Sequence, residues 1–289
     1  MMAPLLLLAT LLLAASSLAR DVPDNVRNLY DSIREKGMCS IELAGGFYSS
    51  DDGPNTFSYC GDHLEDYKIV YIQGTGGVLA NMDVDCDGAQ GGPANDGRCA
   101  SSRDTQAVSS FQSTVASYGR GIRDLDANIH PYIVFGNEGS KPGWKTFDPQ
   151  EVGIQPLSLM AVVCGDKLIY GVWGDTNGDD GPHPMVGEAA ISVATECFGT
   201  EISGDSGYDQ DDVLYIAFVG QDAVPGAKGA NWTAADYQTF SDSIRELGDK
   251  LIDRIGINDD ESVGSVVMSR GRSALLPLAV TLAAGWLVM

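Results

Sequence analysis

Positive charge is scarce: 18 Lys and Arg stand against 40 Asp and Glu, for a net charge of −22. So acidic a surface repels nucleic acid, which is excluded as a partner, and it favours cations and cationic substrates. Histidine is scarcer still. His63, His130 and His183 are scattered, and without a G-x-S-x-G or a phosphate-cradling glycine loop they support neither a nucleophilic triad nor nucleotide chemistry. The six cysteines include no pair two to four residues apart, which argues against zinc. No metal or cofactor is expected. The chain also lacks an apolar run of the roughly 20 residues that a membrane helix needs, and it has no internal repeat or low-complexity tract.

Two shorter apolar runs occupy the ends. Residues 4–19, PLLLLATLLLAASSLA, close with small residues at Ser17 and Ala19, so residues 1–19 are expected to be a signal peptide cleaved after Ala19. At the other end, the apolar run 274–289 follows a polar spacer. That layout predicts a lipid (GPI) anchor at Ser262, with Gly264 as the second small residue and 263–289 removed. Losing Arg270 and Arg272 would leave 16 − 40 = −24. The chain is therefore expected to be secreted and tethered to the outer cell surface or wall, with 20–262 forming a single catalytic domain and linker. In a secretory chain Cys39, Cys60, Cys86, Cys99, Cys164 and Cys197 are expected to form three disulfides. Cys86 with Cys99 is the most local pairing; the others stay open. Asn231, in the sequon NWT, is a candidate glycosylation site.

Between the ends, Val22, Val26, Leu29, Tyr30 and Ile33 fall at helical spacing before Gly37, and Tyr237, Phe240, Ile244, Leu247, Leu251 and Ile255 do so behind Thr233 as N-cap. A short helix is expected over GEAAISVATECF, with Glu188 in its first turn, where the helix dipole would hold it ionised or, in an apolar pocket, burial would raise it toward a proton donor. Runs such as KIVYI from Lys68, YIVF from Tyr132, LMAVV from Leu159, LIYGVW from Leu168 and VLYIAFV from Val213 read as buried strands. Strands without regular helix alternation predict a mainly β (α+β) barrel or sandwich with peripheral helices.

The acidic residues are patterned. In NMDVDCDG, Asp83, Asp85 and Asp87 alternate before Gly88. They form either the start of a calcium loop, which would lack its distal Glu because Ala94 stands there, or an acidic strip on one face of a strand. In GVWGDTNGDDGPHPMVGEAA, Asp175 and Glu188 stand 13 positions apart around a glycine-rich loop. Asp175, Asn177 and Asp179 again suggest calcium, but Val186 occupies the distal ligand position. Two carboxylates facing each other across a loop can instead act as proton donor and water-activating base for glycosidic cleavage. Trp173, just before Asp175, is a candidate aromatic plate for a sugar ring, although a tryptophan so placed is more often core.

MDVDCDG at 82–88, VWGDTNGDDG and GEAAISVA together resemble the fungal chitosanases of glycoside hydrolase family 75, with similarity over roughly 39–240. The resemblance implies endo-hydrolysis of β-1,4 bonds in chitosan with inversion, a six-stranded barrel of the double-psi kind, and Asp175 and Glu188 as the two essential carboxylates. On this reading Glu188 protonates the leaving oxygen and Asp175 deprotonates water, though the two roles are exchangeable. Asp83, Asp85, Asp87 and Asp179 receive substrate ammonium groups, and Trp173 and Asn177 complete the substrate contacts. A monomer is expected. Family members are freely secreted, so the anchor signal is a departure. The rival readings are a glycosidase for neutral glucan or chitin, and a non-catalytic, calcium-stabilised surface protein.

Overall fold

Short β-branched and aromatic runs, cut by Gly, Pro and Asp, form one ten-stranded sheet. The computed structural model describes residues 20–179 and 181–256. Its strands are β1 (Arg20–Asp21), β2 (Glu42–Phe47), β3 (Phe57–Cys60), β4 (Ile69–Gly74), β5 (Ala80–Asp85), β6 (Tyr132–Asn137), β7 (Leu159–Cys164), β8 (Lys167–Asn177), β9 (Glu188–Ala190) and β10 (Tyr208–Phe218). Every strand foreseen from the sequence is present. β8, β6, β9, β5, β10 and β7 pair in that order and β7 pairs back onto β8, so the six strands close a ring. Within it β6–β8 and β5–β9 are parallel. β4, β3 and β2 continue outward from β10, and β1 adds to β8. The protein is thus mostly β with a few helices, an α+β fold.

The helices α1 (Asp24–Lys36), α2 (Gln112–Ser117), α3 (Ile191–Phe198) and α4 (Tyr237–Ile252) lie outside the strand runs. α1 buries Val26, Leu29, Tyr30 and Ile33 and stops at Gly37, as its spacing predicts. Two local expectations are corrected. α4 is capped not by Thr233 but by Asp236, whose carboxylate accepts the Thr239 N–H at 2.8 Å; Asp236 sits immediately before the first helical residue, where a cap must be. Glu188 does not lie in the first turn of a helix. It opens β9, because pairing with β5 and β6 extends the backbone there, and α3 begins only at Ile191. The helix-dipole argument for Glu188 therefore falls.

Cys39–Cys60, Cys86–Cys99 and Cys164–Cys197 are bridged, which fits folding in an oxidising compartment. Among the described residues no helix is long and apolar enough to cross a membrane. Residues 1–19, Ser262 and 263–289 lie outside the described residues.

Candidate active site

β6 is the keel of the site. Val134 faces Asp175 of β8 on one side and Glu188 of β9 on the other. Residues directly opposite on paired strands point to the same face, so both carboxylates rise on one side of the sheet, about two strand spacings or roughly 9 to 10 Å apart at Cα. The long β8 reaches this position because β6 and β8 approach closely. A Cβ on Gly174 would come within 2.5 Å of the Tyr132 side chain. The loop between β8 and β9 is tied back by Asn137 and Asn177, whose amides both donate to the Met185 carbonyl at 2.7 and 3.2 Å. Asp83 N–H donates to Gly187 O at 2.7 Å, seating Glu188 beside Asp83 in register.

β5 delivers the next acids. Asp83 and Asp85 share a strand face, but β5 ends at Asp85, so strand alternation does not place Asp87. A turn does: Asp87 N–H donates to Asp85 Oδ1 at 2.6 Å, and Gly88 follows at φ 95°, where a Cβ would strike Leu125 O at 2.3 Å. Both calcium-loop readings fail for the same reason. Asp83 and Asp85 lie on one strand and Asp175 and Asn177 on another, where a ligand loop cannot curl around an ion.

The resulting pocket is lined by Asp85, Asp87, Asp104, Asp175 and Glu188, with Val84, Cys86, Ser102, Gln106, Val134, Thr176, Asn177 and Gly178. No Lys or Arg is among them. Burial raises Asp175 to about 6 against hydrogen bonds that pull the other way, chiefly from Ser110. Burial also lifts Asp85 well above the carboxylate range, with Asp175 and Asp87 adding to it. Glu188 rises likewise through burial and then through Asp85, Asp83, Asp175 and Asp87. Asp83 reaches about 6, mainly by burial, with Asp51 and Asp209 nearby. Tyr132 OH donates to Asp87 O at 3.1 Å. One oxygen each of Asp85, Asp87 and Asp175 lie within 4.8 Å of one another, the only such trio among the described residues. Carboxylates this close share protons as readily as they share a cation, and spacing alone does not make them a metal centre.

Two expected substrate contacts are corrected. Trp173 is only 2% exposed; its indole donates to Asp175 O at 2.9 Å and meets Phe111 edge-on. It braces the strand under Asp175 and offers no open face to a sugar. Asp179 is absent from the lining, because its Oδ2 accepts Ser140 N–H at 2.8 Å and the Ser140 hydroxyl at 3.3 Å, which hold it low in pKa. Asp85, Asp87 and Asn177 do line the pocket, and Asp83 flanks Glu188 on the neighbouring strand. Ser102, Asp104, Gln106 and Ser110 went unforeseen. They belong to a polar loop after Cys99 whose only signal was an acid, an amide and hydroxyls without apolar periodicity.

Cys86 sits between Asp85 and Asp87, and its bridge to Cys99 closes 13 positions of chain. Replacing both cysteines by serine is expected to cost about 3 kcal/mol of stability and to lower kcat more than it raises KM. Denaturant melts and steady-state kinetics on the folded variant check both.

Two carboxylates side by side in one acidic pocket on a closed ring of strands are the equipment of a glycosidase. The family model described as "Fungal chitosanase of glycosyl hydrolase group 75" matches residues 82–254. An endo-chitosanase of Aspergillus oryzae is 46% identical over 243 residues, covering 83% of this chain and 94% of its own length. Endo-chitosanase B of Aspergillus oryzae is 47% identical over the same shares, and an endo-chitosanase of Aspergillus fumigatus is 46% identical over 84% of this chain and 95% of its own. The chain belongs to the fungal chitosanases of glycosyl hydrolase group 75, and it is a glycoside hydrolase.

Proposed function

We propose that this chain cleaves internal β-1,4 bonds of chitosan with inversion at the anomeric carbon, Glu188 acting as acid and Asp175 as base. The observation that carries this reading is the flanking of Val134 by both carboxylates. Placing the two acids on strands either side of β6 leaves room between them for a sugar and a water, as an inverting pair requires. Glu188 takes the acid role because burial and four neighbouring carboxylates keep its proton on. Asp175, raised less and supplied with hydrogen-bond donors, is the group that ionises first and can activate water. Asp83, Asp85 and Asp87 receive glucosamine ammonium groups, whose positive charge offsets the mutual repulsion of the acids. The named activity of the relatives supports the same substrate.

The ring of six strands supports a barrel of the double-psi kind, on which 20–262 acts as one catalytic domain and as a monomer. The three disulfides support secretion after removal of 1–19. The anchor at Ser262 rests on sequence layout alone. Asn231 is exposed, as an N-glycan requires.

Reducing-end release from chitosan, chitin and cellulose, with NMR of the first-formed anomer, tests the reading. Chitosan is expected to be cleaved best, with the inverted anomer appearing first. KM for chitosan is expected to rise as salt approaches about 1 M, where the screening length is about 3 Å. Preference for chitin or cellulose, or a salt-independent KM, would overturn recognition by charge.

A further inference from the structure

Asp175 uses its two oxygens unequally. Oδ1 accepts the Thr176 N–H at 2.8 Å, the Ser110 N–H at 3.2 Å and the Ser110 hydroxyl. Oδ2 is buried and accepts no hydrogen bond. Ser110 reaches Asp175 across 65 positions of sequence, exposed itself but flanked by the buried Ser109 and by Phe111, which packs edge-on against Trp173. Hydrogen bonds hold the segment as well. Ser109 gives its N–H and hydroxyl to Asp124 at 3.0 and 2.5 Å, and Gln106 N–H donates to Asp87 Oδ1 at 2.6 Å. Three carboxylates therefore grip the segment 106–110 and deliver Ser110 to one chosen oxygen.

We propose that Ser110 is a positioning residue for the general base: by occupying Asp175 Oδ1 it fixes the plane of the carboxylate and keeps Oδ2 as its unpartnered oxygen. The inference rests on Asp175 being the base. A freely rotating carboxylate would offer either oxygen in many orientations, whereas one oxygen saturated by three donors fixes the plane of the group. The ionisable groups facing Asp175 are Asp85 from β5, Asp87 from the turn after it, Glu188 from β9, Asp124 from the segment before β6, and Tyr132 from β6 itself. The acids among them disfavour the Asp175 anion, so the donors at Ser110 and Thr176 are what favour it.

The test compares Ser110→Ala, Ser110→Thr and Asp175→Asn, each checked for folding by its melt, in kcat, KM and the pH profile of kcat/KM on soluble chitosan. Ser110→Ala is expected to lower kcat by about tenfold or more, to leave KM within about twofold, and to move the acidic limb to higher pH. Ser110→Thr, which keeps the hydroxyl, is expected to hold the parent's acidic limb and most of its kcat. A folded Ser110→Ala variant with parental kcat and limb, or with its loss confined to KM, would overturn the proposal while leaving the base intact if Asp175→Asn is inactive. Full activity in Asp175→Asn would remove the base assignment itself.

Discussion

Asp175→Asn and Glu188→Gln, each correctly folded, are expected to lose about 10² to 10⁴ of kcat on chitosan, the range that positioned acids and bases contribute. Both replacements keep the shape and polarity of the side chain while removing the transferable proton or the anion, so the loss reports chemistry rather than packing. The two losses differ in origin. Glutamine at 188 cannot protonate the leaving oxygen, and asparagine at 175 cannot take a proton from water. Since Val134 separates the two strands that carry them, neither side chain can swing across to replace the other. Substrate affinity should change little if, as proposed, Asp83, Asp85 and Asp87 receive the ammonium groups. Kinetics with reducing-end detection check this; either variant within about threefold of the parent kcat would remove that residue from the acid–base pair.

The same neutralisation is expected to stabilise the fold at neutral pH. Asp83 and Asp175 titrate near 6 in the folded chain, and Asp85 and Glu188 are raised in the same direction. Because the unfolded chain releases these protons nearer pH 4, the folded state binds more protons between the two values, and stability falls as pH rises through that window. Acids held low in pKa, such as Asp62 and Asp96, act oppositely and withdraw stability below about pH 4. Tm should therefore peak in mild acid and drop by several degrees toward pH 7.5, each kcal/mol being worth about 2 to 4 °C in a domain of this size. Glu188→Gln should melt above the parent at pH 7.5, with the gap closing toward pH 4. A parental Tm that is flat or rising from pH 5 to 7.5, or a Glu188→Gln variant less stable at pH 7.5, would show that the acid cluster carries no such strain. Catalytic power and stability pull against each other here, as expected where like charges are buried together for chemistry.

The strands were readable because runs such as YIVF and LMAVV have few alternatives to a buried strand. Cys86–Cys99 was readable because 13 positions of chain keep its ends near each other. EAAISVA satisfies helical spacing and strand burial equally, so its pattern cannot place Glu188; the pairing of β9 with β5 and β6 does. Trp173 misled because one residue type serves both sugar stacking and core packing. Asp179 was spent on the Ser140 backbone, and Ser110 was invisible because its partner is 65 positions away.

Charge, cysteine count and motif are properties of residues taken in order, so an acidic chain with an even set of cysteines and two carboxylates around a glycine-rich loop is legible without a structure. Which acids meet is a matter of strand pairing. β6 must slide between β8 and β9 before Asp175 and Glu188 can face one cleft, and the loop after Cys99 must fold back before Asp175 has one oxygen held and one free. Those are distances between segments remote in the chain, set by strand pairing and desolvation.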